Sequence, residues 1–270
     1  NQLGYGQEYQ IKYTLEPVDA TASLLTWTSD NPEVISVDKT GKLKVHTTKT
    51  ASAVITASYG PVVQNVTVTV ADGRFWYSLG NGLGNGLDNN WYLDGNNASV
   101  VSSDGNKTTV QMGSGYRGDL WLARSGKGKI VNVTPADYRY FAIKVGFKSQ
   151  LVPGKNKPNG CIKLEIFDDG IKKIGPEYFG TGGDANNRYE ILGASEISTT
   201  EPNVLYYDLQ SKYKTVTPTD WNQVFDLVQC KFVIADFPET AQTYDLYWIR
   251  SFKSIEELQA FVDSENNTNE

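Results

Sequence analysis

The sequence is poor in the residues that most metal and thiol enzymes rely on. Its 270 residues include one histidine, one methionine and two cysteines. A Cys/His zinc site or a Ser-His-Asp triad needs imidazoles that this chain does not have. The single histidine, His46, lies in a Lys- and Thr-rich stretch and is expected to be a solvated strand residue. There is no basic surplus either, with 25 Lys and Arg against 31 Asp and Glu and a net charge of −6. Such a chain has little with which to neutralise phosphates, so neither nucleic acid nor an anionic membrane is an expected partner. No apolar run approaches the ~18–20 residues needed to span a bilayer, so no transmembrane segment is expected. Cys161 and Cys230 both sit in apolar, strand-like runs. They are read as two buried thiols ahead of a disulfide, because a chain of this size does not need a staple.

What the chain has in surplus is aromatic rings: 6 Trp, 16 Tyr and 10 Phe. Apolar residues alternate with polar ones almost throughout, which predicts an all-β protein. Residues 1–72 read as short strands, among them Leu25–Thr28, Val34–Val37, Leu43–Val45, Val54–Ala57 and Val66–Val70. Turn signals at Asp30-Asn31-Pro32, Lys39-Thr40-Gly41 and Gly60-Pro61 separate them. Ala71-Asp72-Gly73 marks a boundary. Residues 73–265 then suit one larger, jelly-roll-type β-sandwich, with strands at Ser99–Ser102, Thr108–Met112, Leu120–Arg124, Tyr140–Phe147, Cys161–Phe167, Ile171–Ile174, Val204–Leu209, Cys230–Phe237 and Tyr244–Phe252. Asp169-Gly170 is a hairpin signal between two of these. Ser254-Ile255-Glu256-Glu257 has the form of a capping box, so a short helix closes the fold before the polar tail 266–270.

The run Trp27-Thr28-Ser29-Asp30-Asn31-Pro32-Glu33-Val34, followed by Val37-Asp38-Lys39-Thr40-Gly41-Lys42-Leu43, resembles the bacterial group 2 immunoglobulin-like domain. The resemblance implies an immunoglobulin-like sandwich acting as a spacer on a surface protein. The closing run Tyr244-Asp245-Leu246-Tyr247-Trp248-Ile249-Arg250-Ser251-Phe252 with Ser254-Ile255-Glu256-Glu257-Leu258 is similar to the C-terminal β-sandwich modules of Bacteroidetes surface proteins. This order of modules resembles the surface glycan-binding proteins of polysaccharide-utilisation systems. It implies a secreted or outer-membrane-surface location and a partner in a glycan-uptake complex. It fixes no binding residue. The chain starts Asn1-Gln2-Leu3 without an initiating methionine, so a signal segment or other residues upstream are expected; a lipid anchor is not visible in the sequence.

A pyranose offers an apolar face to flat rings and an equatorial belt of hydroxyls to bidentate polar groups. Two segments offer both. In Tyr116-Arg117-Gly118-Asp119-Leu120-Trp121-Leu122, alternation places Leu120 and Leu122 on one face and Arg117, Asp119 and Trp121 on the other. If the leucines face the core, a ring, an acceptor and a cationic fork emerge together. The competing reading is an Arg117–Asp119 structural ion pair beside an interior Trp121, with Lys144 and Asp208 joining a polar network. In the second segment, Trp76 and Trp91-Tyr92 flank the glycine-rich repeat Gly80-Asn81-Gly82-Leu83-Gly84-Asn85-Gly86-Leu87, a loop able to approach a ligand closely. Calcium is weighed as a structural ion, with Asp88, Asp94, Asp104 and Asp184 as loop carboxylates, on a ligand pattern with no spacing rule behind it. No other cofactor is expected.

These residues point to a non-catalytic polysaccharide-binding protein with Trp91, Tyr92, Trp121, Arg117, Asp119 and Trp76 as ligand contacts. The alternatives are a structural or adhesion module without a glycan ligand, and a β-sandwich glycoside hydrolase. The hydrolase would need two opposed carboxyls about 5–10 Å apart. Glu165-Ile166-Phe167-Asp168-Asp169 has the wrong spacing for that, and its Asp-Asp-Gly end reads better as a turn.

Overall fold

The computed structural model describes residues 2–47, 50–86, 90–94, 98–113, 118–124, 127–128, 131–133, 137–150, 163–168, 189–209, 225–234 and 242–267. The all-β expectation is met. Short alternating segments form β1 (Gln2–Tyr5), β2 (Glu8–Gln10), β3 (Thr26–Ser29), β4 (Ile35–Val37), β5 (Lys42–Val45), β6 (Ala51–Tyr59) and β7 (Val62–Ser78). One sheet is β2–β5–β4, and β3, β6, β7 and β1 pair in another. Leu3, Ile35, Leu43, Val45, Ala53, Ile55, Val68 and Val70 are buried together in a first core. Trp27 packs half-buried against it. His46 differs from expectation: it is half-buried, and its Nε2 lies 2.7 Å from the Ser36 hydroxyl.

The punctuation at Ala71-Asp72-Gly73 does not interrupt the strand. β7 runs for 17 residues, pairing with β6 from Val62 to Val70 and with a C-terminal strand from Trp76 to Ser78. The glycine serves a bulge. Gly73 has φ +66°, a left-handed conformation that L side chains resist. Across it, pairing with β1 slips from Leu3↔Val70 to Tyr5↔Phe75, so five steps of β7 are matched by two of β1. An odd difference exchanges the parity that faces inward. Val68 and Val70 therefore feed the first core, while Phe75 and Tyr77 feed a second. β1 does the same, sending Leu3 to one core and Tyr5 to the other, where the Tyr5 ring centroid lies 5.6 Å from that of Tyr77.

Beyond β7 come β8 (Tyr92–Leu93), β9 (Ser99–Ser103), β10 (Thr108–Gln111), β11 (Gly118–Arg124), β12 (Lys127–Gly128), β13 (Val131–Val133), β14 (Tyr140–Phe147), β15 (Lys163–Asp168), β16 (Glu190–Ile191), β17 (Asn203–Asp208), β18 (Phe225–Ile234), β19 (Thr243–Phe252) and the helix α1 (Ile255–Asn267). Among the described residues, the order β16–β17–β14–β19–β7 continues into β6 and β3, with β10 and then β9 added on β19. A second sheet runs β12–β11–β18–β13, with β15 on β18 and β8 on β11. Alternation sends Phe141, Ile143, Val145, Leu205, Leu246 and Ile249 inward from one sheet and Leu120, Leu122, Leu164, Phe232 and Ile234 from the other. Cys230 is a free thiol in this core, and burial pushes its pKa up, as expected of an inert thiol. Cys161, the Asp169-Gly170 turn and the strand expected at 171–174 lie outside the described residues.

The capping box forms with a one-residue offset. The Ser254 hydroxyl accepts from the Glu257 amide at 3.2 Å, and the Glu257 carboxylate accepts from the Lys253 amide at 2.6 Å. This start sets α1 across the outer face of the large sheet, where Leu258 is buried with Ala142, Val204, Trp248 and Phe252.

Because Tyr5 belongs to the first strand yet packs in the second core, its removal tests the coupling of the two units. Tyr5→Ala should cost about 3–5 kcal/mol, as for other buried aromatics cut to alanine. Urea unfolding followed by tryptophan emission should show the loss in the transition of the larger sandwich.

Candidate functional site

The sequence places a polar-and-aromatic set on β11, and the structure confirms its alternation. Leu120 and Leu122 are in the core and Asp119 and Trp121 are on the opposite face. Both are buried, at 5% and 7% exposed, and neither lines a groove among the described residues. Asp119 pairs with Lys231 of β18, whose Nζ is 3.2 Å from Oδ2 and 4.4 Å from the Trp121 ring centroid. Desolvated charges persist when paired, and here the pair is completed by a cation–π contact. Arg117 lies outside the described residues.

Trp91 and Tyr92 are corrected in the same way. Trp91 is fully buried, wedged between the sheets with its ring centroid 6.0 Å from Tyr77 and 5.7 Å from Phe232. The loop that carries it is polar, but a Trp at the mouth of an unfilled sandwich gains more by entering it than by staying in water. Tyr92, 2% exposed, begins β8 opposite Trp121. The glycine repeat serves the fold as well: a Cβ on Gly80 would lie 2.2 Å from the Gly105 carbonyl oxygen, so the close approach there is backbone to backbone. Trp76 is half-buried on the outer face of β7, with the guanidinium carbons of Arg74 and Arg250 at 4.3 and 4.5 Å from its centroid. Its edges meet Phe252 and Phe261. Its role is to dock α1.

Of the candidate calcium ligands, Asp88 and Asp184 lie outside the described residues. Asp104 uses Oδ1 to accept the amides of Asn106 and Lys107 in the β9–β10 turn, and these bonds hold its carboxyl below the usual range. Among the described residues, no three His, Cys, Asp or Glu side chains gather as metal ligands.

A concave surface lies elsewhere, on the outer face of the large sheet. A groove of about 820 Å³ is floored by Lys144, Tyr247, Trp248 and Arg250. The β9–β10 turn walls it with Gly105 and Asn106, the loop before β17 with Glu201 and Pro202, and α1 with Val262 and Glu265. This volume falls in the range of small-ligand sites. Strict alternation along β19 would put only one of Tyr247 and Trp248 outside. Pairing with β14, however, passes from Val145↔Leu246 to Lys144↔Trp248, leaving Tyr247 as the extra residue of a bulge. Leu246 and Ile249 still face the core, and both aromatic residues emerge on the outer face. Tyr247 lies along the bare backbone of Gly146, where a Cβ would stand 3.6 Å from Cε2, and it stays half-buried.

The polar lining is organised around Glu265. Its Oε2 is 3.0 Å from Lys144 Nζ and accepts the Trp248 indole N–H at 3.0 Å, while Oε1 is 3.8 Å from Arg250 Nη1. Arg250 Nη2 donates to Ser78 Oγ at 3.2 Å. Burial lowers the Arg250 pKa to about 10, which leaves it charged at neutral pH. Beside the groove, Asp245 accepts from Lys107 at 2.7 Å and from Thr109 at 2.7 Å. Burial raises its pKa, but these two donors outweigh it and the net shift is downward. Asp208, expected in a network with Lys144, is held instead by Arg139 through two bonds of 2.5 Å.

Sequence reasoning missed Tyr247, Trp248, Arg250 and Glu265 as a set. One signal was present: two consecutive aromatic residues inside an otherwise alternating strand. Removing the buried rings should therefore read out in stability. Trp91→Ala should lose about 3–5 kcal/mol in urea denaturation. Lys231→Met, which removes a buried cation from beside Asp119 and Trp121, should lose about the same.

The family model described as "Domain of unknown function (DUF4979)" matches residues 82–258, so the chain belongs to that family. No curated protein matches it. Among solved structures it is similar to the low-affinity xylan-binding module CBM86 from Roseburia intestinalis, at 14% identity over 62% of this chain and 92% of that one, with a TM-score of 0.30. It is also similar to the CBM51-2 and INT domains of Clostridium perfringens ZmpB, at 12% identity, 85% and 40% coverage and a TM-score of 0.25. Domains 4 and 5 of the S-layer protein SbsC share 11% identity, with 84% and 78% coverage and a TM-score of 0.21.

Proposed function

We propose that this DUF4979 member is a non-catalytic glycan-binding protein of the cell surface or secreted fraction, and that the groove under α1 is its binding site. The single observation behind this reading is the bulge at Tyr247, which sets a tyrosine ring beside Lys144, Glu265 and Asn106 in an open concavity. A ring for the apolar face of a sugar and both donors and acceptors for its hydroxyls are what saccharide recognition needs. The site differs from the one read in the sequence, while the chemistry sought is the same. In the free protein Glu265 accepts from Lys144 and the Trp248 indole and pairs with Arg250 at 3.8 Å, so its carboxylate is engaged with protein groups.

In this reading residues 1–72 are an immunoglobulin-like spacer and 73–265 the binding module, joined rigidly through β7. No helix among the described residues is long and apolar enough to cross a membrane. A shallow polar groove gives single-site affinities on the order of μM to mM, and repeated engagement along a polymer supplies the rest.

Affinity electrophoresis against plant, host and microbial polysaccharides tests the proposal. Tyr247→Ala should weaken retention about tenfold or more, equivalent to ~1.4 kcal/mol, with the unfolding midpoint nearly unchanged. Retention that persists in Tyr247→Ala would falsify the site, and no retention of the unmodified chain on any polymer would overturn the function.

A further inference from the structure

We infer that the groove is built for acidic saccharides, whose carboxylate takes the place that Glu265 occupies on Lys144, Trp248 and Arg250. The inference rests on the glycan-binding reading and narrows its ligand class. Lys144 and Trp248 are direct cross-strand partners, and Arg250 follows two residues further along β19 on the same face. Their spacing is set by the sheet and does not depend on the helix. Together they present an ammonium, an indole N–H and a guanidinium to one point. Glu265 shows that a carboxylate fits there, with Oε2 3.0 Å from both Lys144 Nζ and Trp248 Nε1.

Glu265 leaves the receptor partly unused. Two cations face one anion. The Arg250 contact, at 3.8 Å, is an ion pair too long for a hydrogen bond. Arg250 is 8% exposed, and its Nε is buried with no hydrogen-bond partner. A guanidinium is best satisfied by a planar carboxylate taken side-on, which Glu265, reaching in from the helix, does not supply. The other acid of the groove, Glu201, stands on the exposed rim, where solvent and salt screen it.

Glu265 is also the displaceable partner. It sits in the last turn of α1, two residues before the helix ends. There the negative end of the helix dipole opposes a carboxylate, and the terminal backbone bonds are the first to open. Its side chain is already 24% exposed, so it can turn into water by side-chain rotation, and an incoming carboxylate replaces the contacts it gives up. A uronic acid ring against Tyr247 would bring its own carboxylate to the vacated donors, and the helix turn would act as a built-in competitor that sets the affinity.

The test compares polygalacturonate and alginate with neutral xylan and β-glucan, using the whole chain, Glu265→Gln and Lys144→Gln. The unmodified chain should retain the acidic polymers at least tenfold better than the neutral ones, and added salt should weaken this. Glu265→Gln should bind polygalacturonate about tenfold tighter, and Lys144→Gln should lose it. Galacturonate, and not galactose, should move the Trp248 indole N–H resonance of the unmodified chain, a readout that does not depend on the variants folding. Retention of neutral polymers without acid preference, lost in Tyr247→Ala, overturns this inference and leaves the glycan reading standing. Absence of binding to every polymer, by the unmodified chain and by Glu265→Gln, overturns both.

Discussion

The two-residue period of β19, broken once at Tyr247, is the constraint on which both halves of the large sandwich depend. Before the bulge, Tyr244 and Leu246 face the core; after it, Ile249 does. The extra residue keeps that face continuous and releases a second aromatic side chain to the outer one. Strand pairing with β14, β10 and β7 fixes β19 on both sides, so the outer face inherits the rigidity of the core. The carboxylate receptor formed by Lys144, Trp248 and Arg250 is thus a by-product of how the core is packed.

A second bulge, at Gly73, does similar work on β7. By absorbing an odd number of residues it lets one strand face two cores in turn, and β1 accompanies it across the same junction. A flexible linker would have let the two units move independently. A shared strand transmits orientation from one unit to the other instead.

The helix is where packing and site chemistry meet. Trp76, Trp248 and Phe252 make an aromatic seat for Phe261 of α1, with Arg250 against three of these four rings. Arginine tolerates this burial because its planar, weakly hydrated cation stacks well. The same guanidinium reaches Ser78 and Glu265, so the anchoring of the helix and the charge of the groove share one residue.

Alternation along the chain determined the strands, their inward faces, the closing helix and the all-β class, because side-chain direction in a strand is a local property. It placed Leu120 and Leu122 inside, and Asp119 with Trp121 opposite, correctly. What alternation does not encode is whether the opposite face is open: Trp91, Tyr92 and Trp121 were covered by elements far away in sequence. Asp119 also pairs with Lys231, 112 residues away, a contact that no local spacing could have suggested. Only the tertiary structure brought Tyr247 and Lys144 together with Glu265, since a groove between a sheet and a helix is defined by long-range register and docking, and no short window of residues contains either.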